Sequence, residues 1–98
     1  MKDRELARRA AEALAPVMYP PVSADDICSP SRVKSAVRAR WATMYLFWTF
    51  DWTYERIAKA MDRWLMPAWY GVEQAKKLVR DDPDFRELVG IARGAVNG

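Results

Sequence analysis

Apolar residues recur at three- and four-residue spacing along most of this chain, which is the pattern of helices that bury one face. The first helix is predicted over 3–14, with Asp3 as its N-cap and Pro16 as the residue that limits it. The apolar face of this helix comprises Leu6, Ala10, Ala13 and Leu14. A shorter helical turn is predicted over 22–28, with Ser23 as its cap.

A segment without glycine or proline runs from Ser31 to Trp48 and predicts one long helix. Its first part is basic and its second part is almost wholly apolar, so we expect it to begin at the surface and to end in the core. The expected buried stripe follows 4-4-3-4 spacing and comprises Val33, Val37, Trp41, Met44 and Trp48.

Two helices joined by a short turn are predicted next. Thr53 caps the first of them, over 54–62, and 63–66 form the turn. The second is predicted over 67–79, with Pro67 at its first position. Its inner stripe comprises Val72, Ala75 and Val79.

The last helix begins at Pro83, with Asp82 as its cap. Its apolar face comprises Phe85, Leu88, Val89, Ala92 and Val96.

Gly71 lies inside the preceding helix, where glycine costs about 1 kcal/mol against alanine, and is expected to permit a close approach. No strand-like alternation and no internal repeat is present, so the predicted fold class is all-α, a compact domain of five to six helices.

The composition of the chain mainly excludes certain kinds of site and catalysis. The 98 residues fit one domain, over 1–98, and 51% hydrophobic with 30% charged residues is a globular mixture. One cysteine and no histidine exclude an internal disulfide, a cysteine-based zinc site and histidine-dependent catalysis. Helix capping explains the cluster of Asp81, Asp82 and Asp84, so we predict no metal site. The other carboxylates are dispersed and no nucleophile has a base nearby in the pattern, so we predict no cofactor, no catalytic residue and no enzyme. With no apolar run of about 20 residues and no signal peptide, the predicted location is cytoplasmic.

The two helices over 54–62 and 67–79 are typical in length and spacing of a helix-turn-helix, in which the second helix enters the major groove of DNA. Glutamine there can bind adenine, lysine can bind guanine or phosphate, and glutamate can accept from cytosine, while aromatic residues can contact a thymine methyl. The candidate contacts on the second helix are Ala68, Trp69, Tyr70, Glu73, Gln74, Lys76 and Lys77. Thr53, at the start of the first helix, is a further candidate.

A basic run precedes these helices, and no acidic residue stands within it. It comprises Arg32, Lys34, Arg38 and Arg40. Such a run predicts contacts with phosphates or the minor groove, and the alternative is a solvated helix face.

Three segments read VSADDICS over 22–29, SAVRARWATMYL over 35–46 and TYERIAKAM over 53–61. These segments resemble the DNA-binding domain IV of the bacterial replication initiator DnaA. The resemblance implies a Trp-repressor-like helix-turn-helix, with Arg40 inserted in the minor groove and Arg38 near the backbone. It also places Lys76 and Lys77 at basic positions late in the recognition helix.

The family signature at the start of the recognition helix is absent, and DRWLMPAWYG stands there over 62–71. The resemblance therefore implies DNA binding but not binding to an initiator box. The sequence has no phosphate-binding loop of the initiator's ATPase. As an initiator-like domain without this ATPase, the chain also resembles the amino-terminal domains of gene transfer agent and phage transcription activators.

The predicted function is sequence-specific binding of double-stranded DNA by a nucleoid-associated transcription regulator, an activator of phage-like or gene transfer agent genes. Its partners would be DNA and RNA polymerase or another transcription component, and the isolated chain is expected to be a monomer. One alternative is an accessory replication-initiation protein on the same fold. Another is a protein interaction module that uses an apolar cluster of Trp64, Leu65, Met66 and Trp69.

Overall fold

The computed structural model describes residues 2–62 and 65–97, and in this part of the chain it contains α-helices, one 3₁₀ turn and no strand. The elements are α1 (Lys2–Leu14), a 3₁₀ turn (Ala15–Val17), α2 (Ala24–Ile27), α3 (Lys34–Thr49), α4 (Tyr54–Ala60), α5 (Leu65–Asp81) and α6 (Pro83–Asn97). The all-α prediction is confirmed. None of the helices in the described ranges is long and apolar enough to cross a membrane.

Helix α3 is the centre of the fold, and α1, α2, α4, α5 and α6 all pack against it. One group of buried side chains lies between α1, α2, α3 and α6, and includes Leu14, Leu46 and Phe85. A second group lies between α3, α4 and α5, and includes Phe47 and Ile57. The two groups form one continuous core, because Trp41, Phe50 and Val96 contact both.

The buried face of α3 differs from the predicted stripe. Val33 precedes the helix and is exposed, and Val37, Trp41 and Trp48 are only partly buried. Of the predicted positions only Met44 is buried. The buried positions are Ser35, Ala36, Ala39, Arg40, Ala42, Thr43, Met44, Leu46 and Phe47. Because several helices surround α3, its small residues face the close contacts, and the large indoles occupy the edges of the core.

The predicted caps are confirmed at three helices. Ser23 and Asp26 form a capping box at α2, and the Thr53 hydroxyl accepts the backbone N–H of Arg56 at α4. Asp82 accepts the backbone N–H groups of residues 84 and 85, and Pro83 is the first residue of α6. The prediction for Asp3 is wrong, because α1 begins at Lys2 and Asp3 lies in its first turn.

The start of α5 also differs from the prediction. The helix begins at Leu65, two residues before Pro67, so this proline lies within the first turn and not at the first position. A proline in the first turn breaks no hydrogen bond, because the N–H groups there have no partner within the helix. The link between α4 and α5 keeps the predicted length of four residues but lies two residues earlier, because α4 also ends two residues earlier, at Ala60.

Gly71 permits the close approach of α5 to α3 that the sequence predicts. A Cβ atom at this position would lie 2.5 Å from Met44 Sδ and 2.9 Å from Trp41 Cδ1. Both distances are shorter than any ordinary contact between non-bonded carbon or sulfur atoms. By contrast, a Cβ at Gly90 or Gly94 on α6 would meet no atom within 4 Å.

Substitution of Gly71 by alanine is expected to destabilise the fold by about 1–2 kcal/mol, although alanine is the better helix former, because the added methyl displaces Met44 and Trp41. Gly90→Ala is the matched control and is expected to stabilise by about 0.5–1 kcal/mol, since helix propensity acts there alone. Urea denaturation of both variants measures the difference. If Gly71→Ala were as stabilising as Gly90→Ala, the close approach would not constrain the fold.

Candidate nucleic-acid interface

Helix α5 presents one face to solvent and buries the opposite one. Met66, Trp69 and Tyr70 are 68%, 43% and 52% exposed, whereas Ala68 and Val72 are fully buried. Glu73 and Lys77 continue the outward face, because residues three or four apart lie on one side of a helix. We refer to Met66, Trp69, Tyr70, Glu73 and Lys77 as the α5 stripe. It is apolar near the start of the helix and charged farther along.

The prediction that Ala68 contacts DNA is wrong. Its side chain is 0% exposed and belongs to the core group formed with α3 and α4. Because α5 starts at Leu65, residue 68 lies on the same side as Val72 and faces inward.

A groove of about 320 Å³ lies between the start of α3 and the end of α5. It is lined by Arg32, Lys34, Val37, Arg38, Trp41 and Leu78, and we refer to it as the basic groove. The ring of Trp41 also meets the ring of Tyr70 edge to face, with 6.1 Å between ring centroids. Trp41 therefore joins the basic groove to the α5 stripe in one surface.

The candidate cations on this surface fall into two groups. Arg32, Lys34 and Lys77 are exposed, and none of their side chains forms a hydrogen bond or ion pair with another described residue. Arg38 instead donates to Asp82 Oδ2 at 2.6 Å, and Lys76 donates to Glu73 Oε2 at 2.8 Å. The side chains of the first group can turn toward a phosphate without giving up a hydrogen bond or ion pair to another described residue.

Lys76 is held by an aromatic ring as well as by its ion pair. Its Nζ atom lies 4.4 Å from the centroid of the Trp48 ring. Glu73 also accepts a long hydrogen bond of 3.4 Å from the hydroxyl of Tyr54 on α4. The hydrogen bond from Lys76 lowers the pKa of Glu73 and raises the pKa of Lys76. Glu73 thus connects α4 to α5, a contact that the sequence analysis missed because Tyr54 lies 19 residues earlier.

The last two candidates, Gln74 and Thr53, lie on α5 and at the start of α4. Gln74 is half-buried, one turn after Tyr70 on the side of α5 that carries Leu78. Thr53 is exposed at the start of α4, where its hydroxyl oxygen serves as the helix cap. Neither position is sealed off by the fold, so both stay predicted contacts.

Arg40 is not placed for the minor-groove role that the resemblance implies. Its residue is only 6% exposed, and its guanidinium donates to four backbone carbonyls. The acceptors are the carbonyl oxygens of Asp26, Ile27, Ser29 and Ser31, at 2.9, 2.8, 2.5 and 3.1 Å. The physical reason is the shortness of α2, since carbonyls at the end of a helix lack partners within it. Arg40 supplies these partners and holds the link between α2 and α3.

Arg38 contributes to the junction of α5 and α6. Its guanidinium lies 5.3 Å from the centroid of the Phe85 ring as well as binding Asp82. The hydrogen bond from Arg38 is the main cause that lowers the pKa of Asp82, and the N–H groups of Phe85 and Asp84 lower it further. Arg38 therefore reaches a phosphate only by giving up this ion pair.

The pH dependence of stability should report the ion pair between Arg38 and Asp82. Since folding lowers the pKa of Asp82, its carboxylate stabilises the fold above about pH 4, and this stabilisation is lost as the pH falls through the folded pKa. Asp82→Asn is expected to lower the Tm more at about pH 7 than at about pH 2, because protonation of the wild-type carboxylate at the lower pH weakens its ion pair with Arg38. Thermal unfolding by circular dichroism measures the gap, with the exposed Glu87→Gln as control. An equal gap at both pH values would contradict the assignment.

No family model, curated protein or solved structure matches this chain. The resemblance to the initiator domain therefore stays a prediction from the sequence. Part of the predicted apolar interaction cluster, Trp64 and the side chain of Leu65, lies outside the described residues. Its other two members, Met66 and Trp69, are exposed on the α5 stripe.

Proposed function

We propose that this chain binds double-stranded DNA in a transcription regulator, with α4 and α5 acting as a helix-turn-helix and α5 as the recognition helix. One observation carries the proposal. An exposed helix face with aromatic and polar side chains is continuous, through Trp41 and Tyr70, with a groove rimmed by the unpaired cations Arg32 and Lys34. In DNA recognition, contacts with base edges determine the sequence that is bound, and contacts with phosphates position the protein. The exposed helix face and the neighbouring cations offer these two kinds of contact.

The major groove of B-DNA admits one α-helix, and each base pair presents a distinct pattern of donors and acceptors there. Gln74 has the amide that pairs with adenine through two hydrogen bonds, and Trp69 and Tyr70 offer apolar surface to thymine methyl groups. Arg32, Lys34 and Lys77 would neutralise phosphates. Arg38, Arg40 and Lys76 would act inside the domain, because each is engaged there.

Selection of bound duplexes from a random DNA pool, at two salt concentrations, tests this function. The proposal expects one enriched motif, with weaker recovery at the higher salt concentration. Gln74→Ala is expected to relax the preference at one base pair by about 1–3 kcal/mol and to leave the other positions unchanged. Recovery of no motif from wild type at either salt concentration would refute sequence-specific DNA binding.

A second candidate function is binding of a protein partner through the α5 stripe. The exposure of Met66, Trp69 and Tyr70 favours it, because adjacent apolar side chains on a surface are typical of interaction sites. In that case Trp69→Ala would abolish binding to the partner, and no duplex would be enriched.

Under DNA binding, occupancy of promoters rather than origin-like sites would separate the transcription role from an accessory role in replication. Promoters of phage-like or gene transfer agent genes are the expected targets.

A further inference from the structure

A second groove, of about 290 Å³, lies between the 3₁₀ turn and α6, away from the α5 stripe. Its apolar part is formed by Met18, Leu88 and Ile91, of which Met18 is 6% and Leu88 is 9% exposed. Its rim carries Val17, Tyr19, Asp84 and Glu87. We refer to it as the acidic groove, and Arg38 is the one predicted DNA contact that lines it.

The rim exposes apolar surface that contributes little to the fold. Tyr19 is 92% and Val17 is 51% exposed, and the tyrosine is the most exposed of the large hydrophobic residues in the described ranges. Prolines at 16, 20 and 21 restrict the backbone on both sides of these residues. A restricted backbone lowers the entropy lost when a partner orders the segment, so these side chains are suited to an intermolecular contact.

The groove also carries two carboxylates that form no ion pair within the described ranges. Asp84 and Glu87 are exposed, and neither forms an ion pair with another described residue. Arg38 lines the same groove, but its charge is matched by Asp82. Arg86 points elsewhere, since its guanidinium donates to the carbonyls of residues 79 and 80 at the end of α5. The groove therefore combines an apolar wall with two carboxylates that no described cation pairs with.

From this combination we infer that the acidic groove docks a lysine- or arginine-bearing segment of a protein partner. The aliphatic stem of such a side chain packs on Leu88 and Ile91, and its charged end reaches Asp84 and Glu87. The ring of Tyr19 offers a face to a neighbouring cation. Nucleic acid is excluded from this groove, because the two carboxylates repel phosphates.

This docking role goes beyond the proposed DNA binding and does not depend on it. The acidic groove adjoins the basic groove at Arg38, which lines both. A bound partner segment and a bound duplex would therefore lie side by side, and each can be measured without the other.

The test measures peptide binding by fluorescence anisotropy in the absence of DNA. Two fluorescein-labelled synthetic peptides are used, one of alternating leucine and lysine and one with glutamate in place of lysine. The lysine peptide is expected to bind wild type, and the glutamate peptide is not. Asp84→Asn/Glu87→Gln is expected to weaken binding at least about tenfold, and Tyr19→Ala about fivefold. The matched control, Glu5→Gln/Glu55→Gln, removes the same charge at two exposed positions on α1 and α4 and is expected to change binding less than about twofold.

Two results would overturn the inference. One is equal weakening by the groove variant and the control variant, because attraction would then follow net charge alone. The other is no binding of the lysine peptide to wild type. The substituted side chains are exposed, and a Tm within about 5 °C of wild type verifies that each variant is folded.

Discussion

Replacement of Arg40 by alanine is expected to lower the free energy of unfolding by about 3 kcal/mol or more, although arginines are usually surface residues. The substitution removes a buried guanidinium and with it four hydrogen bonds to backbone carbonyls in and after α2, of which that of Asp26 keeps other donors, the N–H and hydroxyl of Ser29. Unpaired buried acceptors are costly because water no longer solvates them. Denaturation in urea, followed by tryptophan fluorescence, measures the loss.

Two further substitutions make this result specific. Arg40→Lys is expected to recover only a small part of the loss, because one ammonium group cannot reproduce the planar set of donors. Arg32→Ala removes the same charge from an exposed position eight residues earlier, and is expected to change stability by less than about 0.5 kcal/mol. A loss below about 1 kcal/mol for Arg40→Ala would show that these hydrogen bonds do not hold the link.

Removal of the three unpaired cations is expected to have the largest effect on DNA binding. For wild type, about three phosphate contacts predict that log affinity falls with log salt concentration at a slope of about −3. In Arg32→Ala/Lys34→Ala/Lys77→Ala the slope is expected to approach zero, and affinity at about 0.1 M salt is expected to fall about 100-fold. Fluorescence anisotropy with the selected duplex, over a series of salt concentrations, gives both quantities.

The control for this experiment is Lys2→Ala/Arg9→Ala/Lys59→Ala. These three cations are exposed on α1 and α4, so the variant has the same net charge as the interface variant. We expect it to keep the steep slope and to bind within about threefold of wild type, since distant surface charges are screened by salt. Equal losses in the two variants would show that net charge, and not the basic groove, attracts the DNA.

The helix boundaries were predictable where local chemistry determines them. Ser23, Thr53 and Asp82 cap their helices because a side-chain oxygen can accept an N–H group only two or three residues later. The face of α6 was predictable for a similar reason, since one apolar stripe packs on the core.

The orientation of α3 was not predictable from its own pattern. A helix surrounded by others buries small residues at close contacts, and which face meets which neighbour depends on the whole fold. The roles of Arg40 and Glu73 were missed because their partners are distant in sequence or lie in the backbone. Arg40 binds carbonyls 9–14 residues earlier, and Glu73 binds Tyr54 on another helix.

The central claim is that α5 reads duplex DNA with its outward face. The most direct test maps the changes in the protein's chemical shifts when the selected duplex binds. When the duplex is added to ¹⁵N-labelled protein, the changes in amide chemical shift should concentrate at 66–77 and 32–41. The indole N–H signals of Trp69 and Trp41 should change as well. The amides of Tyr19 and Glu87, in the acidic groove, should not change. Shifts concentrated on α1 and α6, or no shifts at saturating duplex, would contradict the account.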